Sequence, residues 1–212
     1  MKKNETTRIR SIGRLDKETS GILLFARNQV AAARLQKQRE EGKLQKKYLA
    51  LAEGDLSEAN DSVFWKEIAI PLAPDPENPM KMTISPDGLL PGSRNAVTYY
   101  KNIKSFGNVT LVELQLETGR THQIRVHMAG IGHPSLGDTM YNPGTCLNMS
   151  NSKEKNNTKG RINNRNDCFK RAALHAWKLT FCHPFTDEII TLEAPLPDDF
   201  CRFLNANEEE KT

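Results

Sequence analysis

The 212-residue sequence lacks several features by which common classes of protein are recognised. No apolar run approaches the roughly 20 residues that a membrane helix needs, and the polar start MKKNETTRIR is not a secretory signal. The four cysteines form no C-x-x-C pair, which is typical of reduced thiols in the cytoplasm. These absences favour a cytoplasmic globular protein with no membrane association, built as a single domain over residues 1–212.

The sequence also lacks the signatures of cofactor, metal and nucleophile chemistry. It has no Walker or dinucleotide glycine loop, and Ser20 lacks the G-x-S-x-G elbow. His122, His127 and His133 are spaced five and six residues apart, whereas zinc ligands on one helix need positions i and i+4. Asp16 has no evident second carboxylate of the kind that a glycosidase needs. We therefore expect neither a metal nor a cofactor.

Positive charge is concentrated in two blocks. Residues 1–50 carry 13 basic and 5 acidic side chains, and residues 146–171 carry 7 and 2. The rest of the chain is acidic, so the net charge of only +4 hides this pattern. Two basic blocks in an otherwise acidic chain are typical of a surface for a polyanion, although a solvated charged face without a partner explains the same pattern.

Hydrophobic periodicity in the first half predicts two strands and a helix. The continuous apolar run Gly21–Arg27 indicates a central strand buried on both faces, and Lys47–Gly54 indicates another strand. Asn28 is positioned to cap a helix that runs through about Glu41, and Gly42 is positioned to end it.

The second half predicts two hairpins and two helices. The Pro- and Gly-rich segment Ile70–Arg94 indicates a loop or lid, while turns at Lys104–Asn108 and Pro184–Asp187 indicate hairpins. The segment THQIRVHMAGIG indicates a helix that has Ile124, Met128 and Ile131 on one face and stops at Gly132, and PDDFCRFLN indicates a second, short helix. A stretch at about 142–167, rich in Asn, Lys and Ser, predicts a flexible insertion, and 205–212 an acidic tail. The predicted class is α+β, with a mostly antiparallel mixed sheet and a few flanking helices.

Four blocks in chain order carry a specific resemblance. They are GRLDKETSG, KKYLALAEG, GRTHQIRVHMAGIGHPSLGD and LHAWKLTFCHPFTDEIITLEAPLPDDF. Together they resemble the RluA-type pseudouridine synthases, which isomerise uridine in ribosomal and transfer RNA. The resemblance implies the catalytic core of such an enzyme, which acts on structured RNA and needs no cofactor.

The resemblance also assigns roles to individual residues. Asp16, in the R-L-D block, matches the essential catalytic aspartate, which acts on the ribose either as a nucleophile or as a base. Arg125 matches an arginine held against that carboxylate. Tyr48 matches the tyrosine that stacks on the target uracil and whose phenol could handle the C5 proton. Arg14 matches an arginine that fills the space left by the flipped base, with a phosphate contact or a plain surface position as alternatives.

Further residues are expected to contact RNA. The helix after Gly119 would place polar side chains and free backbone N–H groups at its N-terminus, which suits phosphate, and support of the Asp16 loop is the alternative. The basic first block would meet the RNA backbone and make binding depend on salt. The residues assigned to the first group are Arg120, Thr121, His122 and Gln123. Those assigned to the second include Arg34, Lys37, Arg39, Lys43, Lys46 and Lys47.

Two features depart from the family pattern. Gly13 stands where a histidine usually precedes Arg-Leu-Asp, and this change is expected to weaken support rather than chemistry. Only 12 residues precede Gly13, and none resembles the family's early strands with their Lys-Pro-x-Gly segment. The missing strands predict an open sheet edge and a half-covered core. Three explanations are open: the chain is a fragment of a longer protein, a partner supplies the missing part, or the chain is a degenerate copy.

Three functions stay open at this point. The first is a monomeric pseudouridine synthase of the cytoplasm. The second is a catalytically inactive RNA-binding remnant of such an enzyme. The third is a hydrolase that uses Asp16 with a water molecule to release a base from RNA.

Overall fold

Strands dominate the computed structural model, which describes residues 8–56, 64–143 and 169–208. The helices within these ranges are α1 (Gln29–Glu40), α2 (Gln123–Gly130) and α3 (Asp198–Glu208). The strands are β1 (Arg10–Ile12), β2 (Ser20–Gly21), β3 (Leu24–Ala26), β4 (Gln45–Glu53), β5 (Lys66–Ala69), β6 (Leu72–Pro74), β7 (Met82–Ile84), β8 (Val97–Ser105), β9 (Val109–Leu116), β10 (Leu174–Cys182) and β11 (Ile189–Glu193). The predicted α+β class is confirmed.

One seven-stranded sheet forms the centre of the protein. Its order is β11–β10–β4–β9–β8–β5, and β2 pairs with β10 beside this path. The β2–β10 ladder is parallel and the other ladders of the sheet are antiparallel. The predicted hairpins are confirmed as β8–β9 and β10–β11. Within the described residues β11 lies at one edge of this sheet and exposes Ile189 and Leu192.

The sheet has a hydrophobic cluster on each face, because side chains alternate along a strand. On β4, Tyr48 and Ala50 face the cluster that α2 covers, and Leu51 faces the cluster that α3 covers. Helix α3 contributes Phe200 and Phe203, which are almost completely buried. Because alternate residues of β4 face opposite clusters, only those on the α2 side, such as Tyr48, can reach a site on that side.

Helix α2 follows its predicted hydrophobic face. Ile124 and Met128 are buried in the cluster that contains Tyr48, and Ile131 packs against the same cluster from just beyond the helix end. This packing holds α2, and the loop before it, against one face of the sheet.

Helix α1 also begins and ends as predicted. The Asn28 side chain accepts a hydrogen bond from the backbone N–H of Ala31 at 2.8 Å, which caps the helix. Gly42, just after the helix, has a φ of +70°, a value that glycine adopts without strain. The helix packs against β1, β3 and β10 through Ala32 and Leu35.

The predicted central strand at Gly21–Arg27 is wrong. Gly21 belongs to β2, which pairs with β10, whereas β3 pairs with β1 in a separate two-stranded sheet. Phe25 on β3 is 53% exposed, so this strand is buried on one face only. An apolar run indicates that a segment is buried, but it does not indicate which strand will pair with that segment.

The predicted loop or lid at Ile70–Arg94 contains regular structure. Strands β6 and β7 form an antiparallel pair within it, and Leu72 pairs with Arg94 across its base. Leu72 is buried against Val126 of α2, so the base of the Ile70–Arg94 segment belongs to the core. Most of the predicted insertion and the last four residues of the acidic tail lie outside the described residues, while 205–208 end α3. None of the described helices is long and apolar enough to cross a membrane.

Candidate active site

A cleft of about 720 Å³ opens on the α2 side of the sheet. It lies between the loop after β1, the end of α1, strand β4 and the loop that joins β9 to α2. Seven of the ten predicted site residues line it: Arg14, Asp16, Lys46, Tyr48, Arg120, Thr121 and Gln123. The other three, His122, Arg125 and Lys47, lie outside this lining.

Asp16 lies at the start of a tight turn on the cleft wall. The backbone N–H of Thr19 donates to the Asp16 carbonyl at 3.0 Å, which closes the turn. The Asp16 side chain is 17% exposed, and its Oδ1 lies 3.9 Å from Nη2 of Arg14, a side chain that is 71% exposed. An ion pair this long with a solvated arginine is weak. The carboxylate is therefore held in place mainly by its turn and remains available to a ligand.

Arg125 was predicted to pair with Asp16, but it binds Asp138 and Glu18 instead. It is almost completely buried and donates from Nε to Oδ2 of Asp138 at 2.6 Å and from Nη2 to Oδ1 at 2.7 Å. Its Nη2 also donates to Glu18 at 3.3 Å. Since Glu18 lies two residues after Asp16, Arg125 anchors the loop that carries Asp16. The expected direct pair gives way because the fully buried Asp138 offers both oxygens to the guanidinium.

The charge of Asp16 nevertheless reaches Arg125. Burial lowers the pKa of Arg125, but the hydrogen bonds with Asp138 and the charges of Asp138, Glu18 and Asp16 raise it, and the net shift is upward. The arginine therefore stays protonated beside three carboxylates.

Asp138 is the residue of this site that the sequence interpretation missed. Its side chain is fully buried. Besides Arg125, its Oδ1 accepts hydrogen bonds from the backbone N–H groups of Met140 and Tyr141, both at 3.0 Å. The acid lies at the end of the GRTHQIRVHMAGIGHPSLGD block, and that block was the signal that could have found it.

Tyr48 places its ring at the base of the cleft. Burial strongly raises the pKa of the Tyr48 phenol, the charge of Asp16 raises it further, and Arg39 lowers it. A phenol shifted in this way keeps its proton at neutral pH. The ring surface is therefore what Tyr48 offers to a ligand, rather than a basic oxygen.

Gln123 ties the β9–α2 loop together. It is buried, and its Oε1 accepts hydrogen bonds from the Thr118 hydroxyl and the Arg120 backbone N–H, both at 2.9 Å. Its Nε2 donates to the Val97 carbonyl at 2.9 Å. Arg120 itself donates from Nε to the Asn95 carbonyl at 3.0 Å, while Thr121 is exposed at the rim. These contacts favour support of the cleft wall by Gln123.

His122 connects the start of α2 to the β6–β7 segment. It adopts a left-handed conformation with φ of 54°, and its Nδ1 lies 2.8 Å from the Tyr141 hydroxyl. That hydroxyl accepts a hydrogen bond from the Met82 backbone N–H at 3.0 Å, so its own proton is free for Nδ1. Burial lowers the pKa of His122, which agrees with a neutral ring that accepts this proton.

The two adjacent lysines of β4 face opposite sides of the sheet. Lys46 lines the cleft and donates from Nζ to the Ile22 carbonyl at 3.1 Å. Lys47 lies on the other face, 3.6 Å from the buried Glu113 and 5.5 Å from the centre of the Trp65 ring. Strand alternation therefore separates two residues that were predicted to act together.

Comparison with known proteins assigns the chain to an enzyme family. Residues 1–130 match the family model described as RNA pseudouridylate synthase, and the chain belongs to this family. It is 39% identical over 197 residues to the uncharacterized RNA pseudouridine synthase YhcT of Bacillus subtilis, which covers 92% of this chain and 55% of that protein. It is 37% identical over 202 residues to the ribosomal large subunit pseudouridine synthase D of Haemophilus influenzae, with 95% and 57% covered.

Solved structures agree with this assignment. The human RNA pseudouridylate synthase domain containing 4 superimposes with a TM-score of 0.70 at 26% identity, over 94% of this chain and 76% of the human chain. The human domain containing 1 protein gives a TM-score of 0.66 at 28% identity, over 90% and 70%. The chain spans a little more than half the length of the curated relatives it matches.

Proposed function

We propose that this chain is the catalytic core of an RNA pseudouridine synthase that converts uridine to pseudouridine in structured ribosomal or transfer RNA. The observation that carries the proposal is the cleft, which places the Asp16 carboxylate and the Tyr48 ring in one space in a chain of this family. We further propose that the protein acts as a monomer, as a single domain, in the cytoplasm.

The reaction is an isomerisation, so its atoms balance within the substrate. The bond between N1 of uracil and C1′ of the ribose breaks, and a bond between C5 and C1′ forms. The C5 hydrogen leaves as a proton, and N1 gains one. Nothing is oxidised and no group is added, so one ionised carboxylate is a sufficient protein reagent, as nucleophile or as base.

The residues around Asp16 would bind the flipped nucleotide and hold the Asp16 loop in position. The target uridine must leave its stack before a carboxylate can reach C1′. Tyr48 would then support the flipped uracil on its ring, and the exposed Arg14 lies where it could enter the vacated space or meet a phosphate. Arg125, through Glu18, would hold the Asp16 loop in the working position.

Tritium release from RNA labelled at C5 of uracil tests this proposal. Each turnover removes the C5 hydrogen, so released tritium counts product directly. The substrate is total RNA from cells that lack the protein, and the enzymes are the parent, Asp16→Asn and Asp87→Asn. Asp87 is an exposed acid outside the cleft lining, so this variant controls for the loss of a negative charge.

Release by the parent and by Asp87→Asn, with none by Asp16→Asn, is the expected result. RNA binding without release from the folded parent would instead identify a binding protein without turnover. Release of free uracil would identify a hydrolase.

A further inference from the structure

Three cations of the cleft have no acidic partner among the described residues. One of them, Arg120, is held by its hydrogen bond to the Asn95 carbonyl at 3.0 Å. The other two are Arg39, near the end of α1, and Lys46 on β4, and both line the cleft beside Tyr48. Lys46 makes one hydrogen bond within the described parts of the chain, to the Ile22 carbonyl at 3.1 Å, so its ammonium has further donors available. Arg39 is exposed at the cleft mouth.

The Arg39 guanidinium lies close to two glycines, Gly13 and Gly119. A methyl group built on Gly13 would lie 3.7 Å from Nε of Arg39, and one built on Gly119 would lie 3.4 Å from its Nη2. The guanidinium therefore lies between the loop that carries Asp16 and the loop that precedes α2. The two loops meet at this arginine, a few residues from the carboxylate that would do the chemistry.

Among the described residues, none of the carboxylates that line the cleft forms an ion pair with Arg39 or Lys46. Asp16 makes only a weak contact with Arg14, at 3.9 Å. Glu40 accepts a hydrogen bond from Nε2 of Gln36 at 3.0 Å. Glu117 accepts one from the Tyr99 hydroxyl at 2.6 Å.

This arrangement is electrostatically unfavourable without an anion. Burial, and to a smaller extent the positive charge of Arg39, lowers the pKa of Lys46 to about 8. A half-buried cation such as Lys46 is normally paired with a counter-charge, and Lys46 and Arg39 instead repel one another. An anion between the two side chains removes both costs, and phosphate suits the pair because arginine binds it through two parallel hydrogen bonds and lysine as a point charge.

We propose that Arg39 and Lys46 bind a backbone phosphate of the RNA, the one next to the uridine presented to Asp16 and Tyr48. This inference rests on the proposed function, because it takes RNA as the ligand of the cleft. It adds the element that fixes the nucleotide by its phosphate, while Tyr48 receives the base. The site then distinguishes a nucleotide from a nucleoside before any chemistry occurs.

Binding of small ligands tests the site without any need for turnover. Calorimetric or NMR titrations compare uridine, uridine 5′-monophosphate, uridine 3′-monophosphate and inorganic phosphate. The proteins are the parent, Arg39→Gln, Lys46→Met, Lys46→Arg and Lys178→Met. Lys178 is a matched control because it is also a lysine of the central sheet, lies outside the cleft lining and pairs with Glu193.

In the parent, we expect one of the two monophosphates to bind at least about tenfold more tightly than uridine, as charge-assisted hydrogen bonds to one phosphate would give. Arg39→Gln and Lys46→Met should lose most of this preference and leave uridine binding unchanged. Lys46→Arg keeps the charge and should retain the preference, which separates loss of the cation from loss of the fold. Lys178→Met should behave as the parent.

Three results would overturn the site. They are equal binding of uridine and both monophosphates by the parent, an unchanged preference in Arg39→Gln and Lys46→Met, or inorganic phosphate binding as tightly as the monophosphates. Failure of the proposed function is a separate result, because it shows as absent tritium release while the phosphate preference persists.

Discussion

Arg125 donates two hydrogen bonds to Asp138, at 2.6 and 2.7 Å, and both side chains are almost completely buried. The same guanidinium reaches Glu18 in the loop that carries Asp16. Arg171 holds that loop from another side, since it donates to the Glu18 carbonyl at 3.2 Å and to Asp199 at 2.9 Å. The loop that carries Asp16 is thus fastened to α2 and to α3 by two arginines.

The buried pair predicts a large loss of stability when one partner is removed. Asp138→Asn keeps the shape but leaves the buried Arg125 charge with only the longer contact to Glu18, at 3.3 Å, which costs about 3–5 kcal/mol in the free energy of unfolding. Urea denaturation measures this loss. The control is Glu193→Gln, because the Lys178–Glu193 pair is exposed and is worth at most about 1 kcal/mol. Equal losses in the two variants would show that Arg125 does not depend on Asp138.

The Tyr48 ring predicts different effects for two substitutions. Tyr48→Phe keeps the ring surface and should bind uridine-containing RNA as the parent does. Tyr48→Leu removes the stacking surface and should weaken binding by about 1–3 kcal/mol. Fluorescence anisotropy with a labelled RNA measures both. Turnover by Tyr48→Phe should persist, because burial keeps the phenol protonated; complete loss of turnover with intact binding would instead assign chemistry to the oxygen.

The sequence predicts those elements of the fold that are determined by neighbouring residues, and it fails where distant residues determine the pairing. The cap of α1, the face of α2 and the two hairpins were predictable because each is decided within a few neighbouring residues. Gly21–Arg27 was misassigned because its two halves pair with β10 and β1, and distant pairing partners leave no trace in the local pattern.

The candidate site shows the same division. The resemblance places Asp16 and Tyr48, and the structure gathers them in one cleft. The pair Arg125–Asp138 could not be read from spacing, since the two residues lie on different elements and meet only after packing. Lys47 was grouped with Lys46 by sequence, yet strand alternation turns it to the other face.

Lys46 predicts a dependence of RNA binding on pH. Its pKa in the free protein is lowered from 10.5 to about 8, mainly by burial. A bound phosphate would raise that pKa again, so binding is strongest below pH 8, where the lysine is already protonated, and weakens as the pH rises above 8. The other charged groups that line the cleft with Lys46 are Arg14, Asp16, Arg39, Glu40, Glu117 and Arg120, and the Tyr48 phenol titrates above this range.

Anisotropy titrations from pH 6.5 to 9.5 at fixed ionic strength would measure this effect, with the pH values chosen to span a pKa of about 8. Lys46→Met should bind more weakly at low pH and show no step near pH 8. A parent with a flat profile, or a step that survives in Lys46→Met, would contradict the assignment.

Two glycines predict a contrast in stability. A methyl group on Gly21 would overlap the backbone of Ala176, and the φ there is +112°. Gly42 also has a positive φ, but a methyl group there would meet nothing within 4 Å. Gly42→Ala should therefore cost only the strain of a left-handed residue, about 1–2 kcal/mol. Gly21→Ala should cost clearly more in urea denaturation, and a smaller cost than that of Gly42→Ala would show that β2 does not pack tightly against β10.

The central claim is that Asp16 alone supplies the reagent for an isomerisation of uridine. Chromatography with mass spectrometry of digested RNA tests it most directly, because pseudouridine has the mass of uridine but a different retention. The account predicts pseudouridine after treatment with the parent, none after treatment with Asp16→Asn, and no free uracil in either reaction. Pseudouridine made by folded Asp16→Asn, free uracil released by the parent, or RNA bound but unchanged by the parent would contradict it.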